Sequence, residues 1–310
     1  MWSHLSRVAA IGRICKEIAY APFLPNRPDS SPSSRLQPES AAAPNQRRHA
    51  VESLMSAAPQ SARIRSRDGV RLHVLDWRPR ESPNREEKPP LVLLHGGGAN
   101  AHWWDHLASA LAQDRRVLAL DFRGHGDSAY PEHREVGAFN VDLEALVEWL
   151  GREDLDLLGH SLGAAVALDH ASRFQTTRSI VLVDLARGSQ RGSGRRARLA
   201  LALRRTYARR QDAIDRFRFL PESSHAPESL RRQIAEHSVR EEPDGRFGYK
   251  FDPAWFGLPS RPRPDPADVR CPTLLVRGEE SLLLSSEAAR AFTDALPDGR
   301  LAVITNAGHH

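Results

Sequence analysis

Leu155-Asp156-Leu157-Leu158-Gly159-His160-Ser161-Leu162-Gly163-Ala164-Ala165-Val166-Ala167-Leu168 is the stretch whose reading decides the fold. An apolar run leads into a serine flanked two residues away on each side by glycine, and small residues follow at once. That is the G-x-S-x-G pattern of a sharp turn from a strand, through a nucleophile, into a helix. The turn is tight enough that side chains at positions 159 and 163 would strike the crossing backbone, and the serine must accept strained dihedrals. A bare G-x-S-x-G is common in glycine-containing loops. A strand before it and a helix after it make this one informative.

Outward from the elbow, apolar runs alternate with helical patterns. Ala62–Ser66 and Val70–Trp77 flank Arg67-Asp68-Gly69, a hairpin turn signal. Leu91–Leu94, Val117–Asp121, Leu155–Leu158, Ile180–Asp184, Thr273–Val276 and Leu301–Ile304 are near-continuously hydrophobic, as strands of a sheet covered on both faces require. Leu143, Leu146, Val147 and Leu150 repeat at helical spacing, and Ala289, Phe292 and Leu296 form a second stripe behind Ser285-Ser286. The expectation is an α/β fold: an eight-stranded, mostly parallel sheet flanked by helices. One long interruption, about 187–268, falls between the sixth and seventh strands. Its helical stretches (Ala197–Tyr207, Leu230–His237) and proline-rich exit (Pro259 to Pro266) predict a helical cap over the carboxyl ends of the strands, where ligands bind in open α/β sheets.

Bulk properties narrow the function classes. With 310 residues and 40% hydrophobic content the chain can bury one large α/β domain, placed at 61–310. The net charge is +5 with only three lysines, so the positive charge is arginine, concentrated at Arg187–Arg210. That cluster lacks interleaved aromatics and any zinc or helix-turn-helix pattern, so it reads as a solvated face rather than a nucleic-acid surface. Cys15 and Cys271 lie far apart with no CxxC, which fits a reducing compartment and argues against a Cys-based metal site. No apolar run approaches the ~18–20 residues that span a bilayer, and Arg13 and Lys16 interrupt the N-terminal apolar stretch. A cytoplasmic protein with no membrane partner is the expectation. Residues 1–60 are turn-rich and polar and read as a disordered extension, and Met55 suggests a natural start that leaves 1–54 as an over-long gene prediction.

Five segments together resemble the α/β-hydrolase fold superfamily, most of all its bacterial Ser-dependent members with a helical cap. They are Leu93-Leu94-His95-Gly96-Gly97-Gly98, the run Leu120 to Ser128 containing Asp121-Phe122-Arg123-Gly124-His125-Gly126-Asp127, the Ser161 elbow, Leu274-Leu275-Val276-Arg277-Gly278, and Ala307-Gly308-His309. The resemblance covers about Ala62 to His310 and is specific for fold rather than substrate. It implies Ser161 as nucleophile and His309, in a glycine-containing loop after the last strand, as its base. The N–H of Leu162 and of Gly97 would form the oxyanion hole. Asp121, Arg123 and Asp127 match a structural loop motif. Trp103 and Trp104 are placed to border the substrate site, with a core role equally open to Trp104 in register with Leu107 and Leu111; His310 would point elsewhere, and His225 and His237 would either line a pocket or face solvent.

The acid departs from the family pattern. Most relatives carry an aspartate three residues after a glycine like Gly278; here Ser281 stands there, with Glu279 and Glu280 close but out of place. Asp184, at the end of the sixth strand, is the favoured acid and Glu280 the alternative. A strand-end turn or capping role is the plain reading of Asp184. Relatives also continue past the catalytic histidine with a helix that packs on the sheet, apparently missing from a chain that stops at His310; a shortened gene model is the expectation. The implied activity is a metal-free, cofactor-free serine hydrolase acting on a small ester or related acyl compound. A Ser elbow argues against dehalogenase or epoxide hydrolase chemistry, where the elbow carries Asp. A C–C bond hydrolase of the same fold, or a non-catalytic ligand-binding member, are the rivals.

Overall fold

The computed structural model describes residues 58–79, 88–113, 115–187, 192–221, 225–259 and 262–310. The readings placed on the N-terminal extension, including Cys15 and Met55, lie outside them. Eight strands form one sheet: β1 (Gln60–Arg65), β2 (Arg71–Trp77), β3 (Leu91–Leu94), β4 (Val117–Asp121), β5 (Asp156–His160), β6 (Ser179–Val183), β10 (Thr273–Gly278) and β11 (Gly299–Ile304). Their spatial order is β1-β2-β4-β3-β5-β6-β10-β11, with β1 and β2 antiparallel to their neighbours and the rest parallel. The hairpin turns at Gly69, whose φ of 86° an L side chain would resist.

The central strands are buried along their whole length, which is why they read as unbroken apolar runs rather than alternating ones. Helices α1 (Asp105–Leu111), α2 (Ala138–Leu150), α3 (Leu162–Arg173) and α7 (Ser286–Asp294) connect them. Leu143 and Leu146 of α2, Ala164, Ala167 and Leu168 of α3, and Ala289 and Phe292 of α7 meet the sheet in one apolar core. Ser285 starts α7 by accepting the Ala288 N–H at 3.1 Å.

The insertion between β6 and β10 differs from the all-helical expectation. It holds α4 (Ser193–Ala202), α5 (Arg210–Asp215) and α6 (Glu228–Ser238), but also a three-stranded antiparallel sheet. Its strands are β7 (Thr206–Tyr207), β8 (Val239–Glu241) and β9 (Phe247–Tyr249), in the order β7-β9-β8. Residues 206–207, expected to end a helix, are therefore strand. Strands of two and three residues are too short for period-two patterning to show in sequence. Ile214, Phe217, Phe219, Ile234 and Val239 give the insertion its own small core, against which Trp103 packs. Part of the arginine cluster is ion-paired at the surface rather than merely solvated, with Arg204 on Glu242 at 2.9 Å and Arg209 on Asp212 at 2.7 Å. Among the described residues no helix is long and apolar enough to cross a membrane.

Candidate active site

Ser161 lies between the end of β5 and the start of α3, with φ 51° and ψ −104°. A non-glycine residue rarely holds a positive φ, and here the surrounding chain enforces it. The Ser161 N–H donates to the Val183 carbonyl at 2.9 Å and the Gly163 N–H to the His95 carbonyl at 3.1 Å. A Cβ on residue 163 would run into the Leu94 carbonyl, so the second glycine of the elbow is required by close approach of β3. Because Leu162 opens α3, its N–H lacks an intrahelical acceptor. Leu162 lines the same cavity as Gly97, Ser161 and His309, a pocket of about 370 Å³ whose mainly apolar wall includes Leu201 and Phe256 of the insertion. A larger depression of about 700 Å³, around Tyr130, Arg204, Arg240 and Glu242, is lined by no serine, cysteine or histidine.

The two candidate acids separate cleanly in space. Asp184 is 1% exposed and holds φ 47°, a second strained non-glycine position one residue past β6. Its Oδ1 lies 2.7 Å from His309 Nδ1 and accepts the Ser281 hydroxyl at 2.6 Å. Its Oδ2 accepts the Gly278 N–H at 3.1 Å. A mere turn residue would need neither burial nor strain. Ser281, at the position where the sequence pattern calls for an acid, serves Asp184 instead. Its oxygen also accepts the Leu283 and Leu284 N–H groups at 3.2 and 3.1 Å, so its own proton is committed to the carboxylate. Glu280 points outward and pairs with His225 at 2.7 Å, both about half exposed.

His309 is buried, and its carbonyl accepts the His160 Nε2–H at 2.8 Å. That bond leaves His160 Nδ1 without a proton, its neutral form favoured by burial and by the neighbouring His309, which push the imidazole down to about 3. Contrary to the sequence expectation, His310 does not point away. Its ring meets Trp103 edge-on at 5.6 Å and Phe219 at 5.3 Å, and it lines the Ser161 cavity. Nε2 donates to the Leu220 carbonyl at 3.0 Å while Nδ1 is buried without a partner. Desolvation, then His309 and His160, hold it well below the ordinary imidazole range, so the side chain is a neutral acceptor at the pocket wall. Sequence offered no signal for this, because Trp103 and Phe219 come from two distant segments. Trp103 also borders the cavity, whereas Trp104 is buried and is not among the residues lining it, the core reading of the two open to it.

The Asp121 loop is structural. Its carboxylate takes the Ala101 N–H at 2.6 Å, the Asp127 N–H at 2.9 Å and His73 Nδ1 at 2.7 Å, fixing the segment that follows the glycine loop. Arg123 bridges Asp142 (2.7 Å) and Asp68 of the hairpin turn (2.5 Å).

Buried histidines make stability acid-sensitive. Burial pushes His125 down to about 3 and, together with Arg173, His170 down to about 4. An unfolded imidazole titrates near 6.5. Between those values the unfolded chain binds more protons than the fold, so stability is complete above about pH 6.5 and declines as pH falls. Each such group contributes a slope of up to about 1.4 kcal/mol per pH unit. In urea unfolding at pH 7.5, 6 and 5, His170→Gln is expected to give a shallower decline than the parent chain.

A family model described as the Alpha/beta hydrolase family matches residues 91–310. The chain belongs to that family. An α/β hydrolase structure from Novosphingobium aromaticivorans superposes with a TM-score of 0.68 at 27% identity, covering 82% of this chain and 93% of that one. The 2-(acetamidomethylene)succinate hydrolase of Mesorhizobium japonicum is 28% identical over 241 residues, 72% of this chain and 82% of that protein. Proline iminopeptidase of Lactobacillus helveticus is 41% identical over 90 residues, 27% of this chain. Several curated relatives, that peptidase among them, are matched over only 22% to 35% of their own length.

Proposed function

We propose that the chain is a serine hydrolase that cleaves a small ester or related acyl substrate through an acyl-enzyme. Ser161 is the nucleophile, His309 its general base and Asp184 the acid that orients the imidazole. The observation that carries this reading is the buried 2.7 Å contact between Asp184 Oδ1 and Nδ1 of His309, a residue that lines the same cavity as Ser161. With Nδ1–H donated to the carboxylate, the lone pair sits on Nε2, the nitrogen that takes the serine proton. Attack on the acyl carbon would push charge onto the carbonyl oxygen, for which the Gly97 and Leu162 N–H groups are the donors. The protonated imidazole then gives its proton to the leaving alcohol and activates water to release the acid.

The cap reading extends to substrate choice. Leu201 and Phe256 of the insertion and the neutral His310 form a stretch of wall suited to an apolar acyl group, in a cavity that Arg198 and Arg263 also line. A fluorophosphonate probe is the test. The parent chain is expected to be labelled and to turn over short p-nitrophenyl esters, and Ser161→Ala to do neither. A folded parent chain that takes no label would favour the non-catalytic ligand-binding reading. Labelling without hydrolysis of any ester in the panel would favour other acyl chemistry, including the C–C bond cleavage expected of the rival reading.

A further inference from the structure

His102, Asp105 and His237 come together on the molecule from segments far apart in sequence. His102 lies in a 3-10 turn, Ala101–Trp104, capped by Asn100, whose Oδ1 accepts the His102 N–H at 3.1 Å. Asp105 follows as the first residue of α1, and His237 is the penultimate residue of α6 in the insertion. The two imidazoles stack with centroids 4.1 Å apart and planes 19° from parallel. His102 Nδ1 lies 2.9 Å from Asp105 Oδ2, while Asp105 Oδ1 is buried with no hydrogen-bond partner. One ligand atom from each residue falls within 4.8 Å of the others, and all three residues are half-buried.

We propose that His102, Asp105 and His237 form a binding site for a borderline divalent cation of the zinc class, which ties the insertion to the α/β core. Two imidazoles and a carboxylate are the donor set such ions take, with water completing the shell. Hard cations prefer all-oxygen sites, so magnesium and calcium are poor fits. A tetrahedral zinc shell holds its donors about 3.4 Å apart, and because imidazole lone pairs lie in the ring plane, binding requires one of the stacked rings to turn out of the stack. The unpartnered Asp105 Oδ1 gains a ligand, which removes the cost of burying it dry. Lys250, the nearby cation, is neutralised by Asp127 at 2.7 Å. The other His/Asp cluster, His73 with Asp121 and Asp127, is occupied by the hydrogen bonds of the Asp121 loop and offers no such opening.

The location gives the ion a consequence. Next to His237, the Ser238 hydroxyl accepts Asn100 Nδ2–H at 3.0 Å and Trp103 Nε1–H at 3.3 Å. A bound ion therefore strengthens the seam that carries Trp103 to the cavity wall. The site stands apart from the Ser161 machinery, so its test does not depend on activity. The full chain, purified without a histidine tag, is titrated with Zn²⁺ by calorimetry at pH 7.5, and with Co²⁺ by visible absorption. One site per chain is expected, with the intense visible bands of low-coordinate cobalt. His237→Gln and Asp105→Asn are expected to weaken it by about 100-fold while far-UV circular dichroism and fluorophosphonate labelling persist. Ser161→Ala should bind as the parent does. Affinity weaker than about 100 µM in the parent chain, or binding that survives unchanged in folded His237→Gln, overturns the proposal.

Discussion

Asp184→Asn is expected to lower kcat for p-nitrophenyl esters by about 10⁴, while Glu280→Gln stays within about two-fold of the parent. The size follows from the donors around the carboxylate. Ser281 and His309 both give protons to Oδ1, and the Gly278 N–H gives one to Oδ2. The Ser281 hydroxyl cannot turn away, because its lone pairs already serve Leu283 and Leu284. An asparagine amide must therefore set its NH₂ against one of these donors. Facing His309, it forces the proton to Nε2 and leaves the base in the wrong tautomer for Ser161. Facing Gly278, it leaves a buried donor unpaired and gives up the negative charge that stabilises the imidazolium. Glu280 ends at a surface pair with His225 and touches none of this. Steady-state kinetics on both variants, with circular dichroism to verify folding, make the comparison. Parent-like turnover in Asp184→Asn with collapse in Glu280→Gln would move the acid to Glu280.

Gly278→Ala is expected to cost about 10²-fold in kcat with the sheet intact. A Cβ at this position would strike the Gly308 carbonyl and stand 2.6 Å from the Ala307 carbonyl, both backbone and unable to swing aside. The loop carrying His309 must retreat, while Asp184, anchored through its own N–H to the Val276 carbonyl at 2.8 Å, stays. The His309–Asp184 bond stretches and the imidazole loses its aim at Ser161. Displacements of about 1 Å at a reacting group carry costs of this order. The check is kcat together with the fluorophosphonate labelling rate, since both need the base. Unchanged values for both would show that the loop absorbs the methyl group elsewhere.

The sheet was legible because its central strands are buried on both faces and its hairpin is turned by a residue with one job. Leu91–Leu94 and Val117–Asp121 are unbroken apolar runs, and Gly69 marks the hairpin. The elbow was legible because its glycines are spelled out in the motif itself: Gly159 answers to the backbone of residue 163, and Gly163 to the approach of β3. What sequence left open was set by long-range contact. Whether Asp184 or Glu280 faces His309 depends on how β6 and β10 end, and the contact spans 125 positions. Ser281 explains the missing acid only once its hydroxyl is seen on Asp184. The small sheet of the insertion escaped notice because Thr206-Tyr207 and Phe247–Tyr249 stabilise one another rather than declaring themselves alone. His310 and the His102–His237 stack were invisible for the same reason.

With Asp184 as the proposed acid, at the end of β6, a different set of parts is held together than if the acid followed β10. Ser161 hangs by its N–H from the Val183 carbonyl, and Asp184 is the next residue along. The proposed nucleophile and the proposed acid thus share one mechanical support. An acid after β10 would instead ride with the histidine loop and leave the serine as the separate piece. Two described joints tie the histidine loop to that support: the carboxylate–imidazole contact, where Ser281 and Gly278 add their bonds, and the His160 bond to the His309 carbonyl. A displacement of the histidine loop would therefore strain the tautomer-setting contact and the His160 bond beside the elbow together.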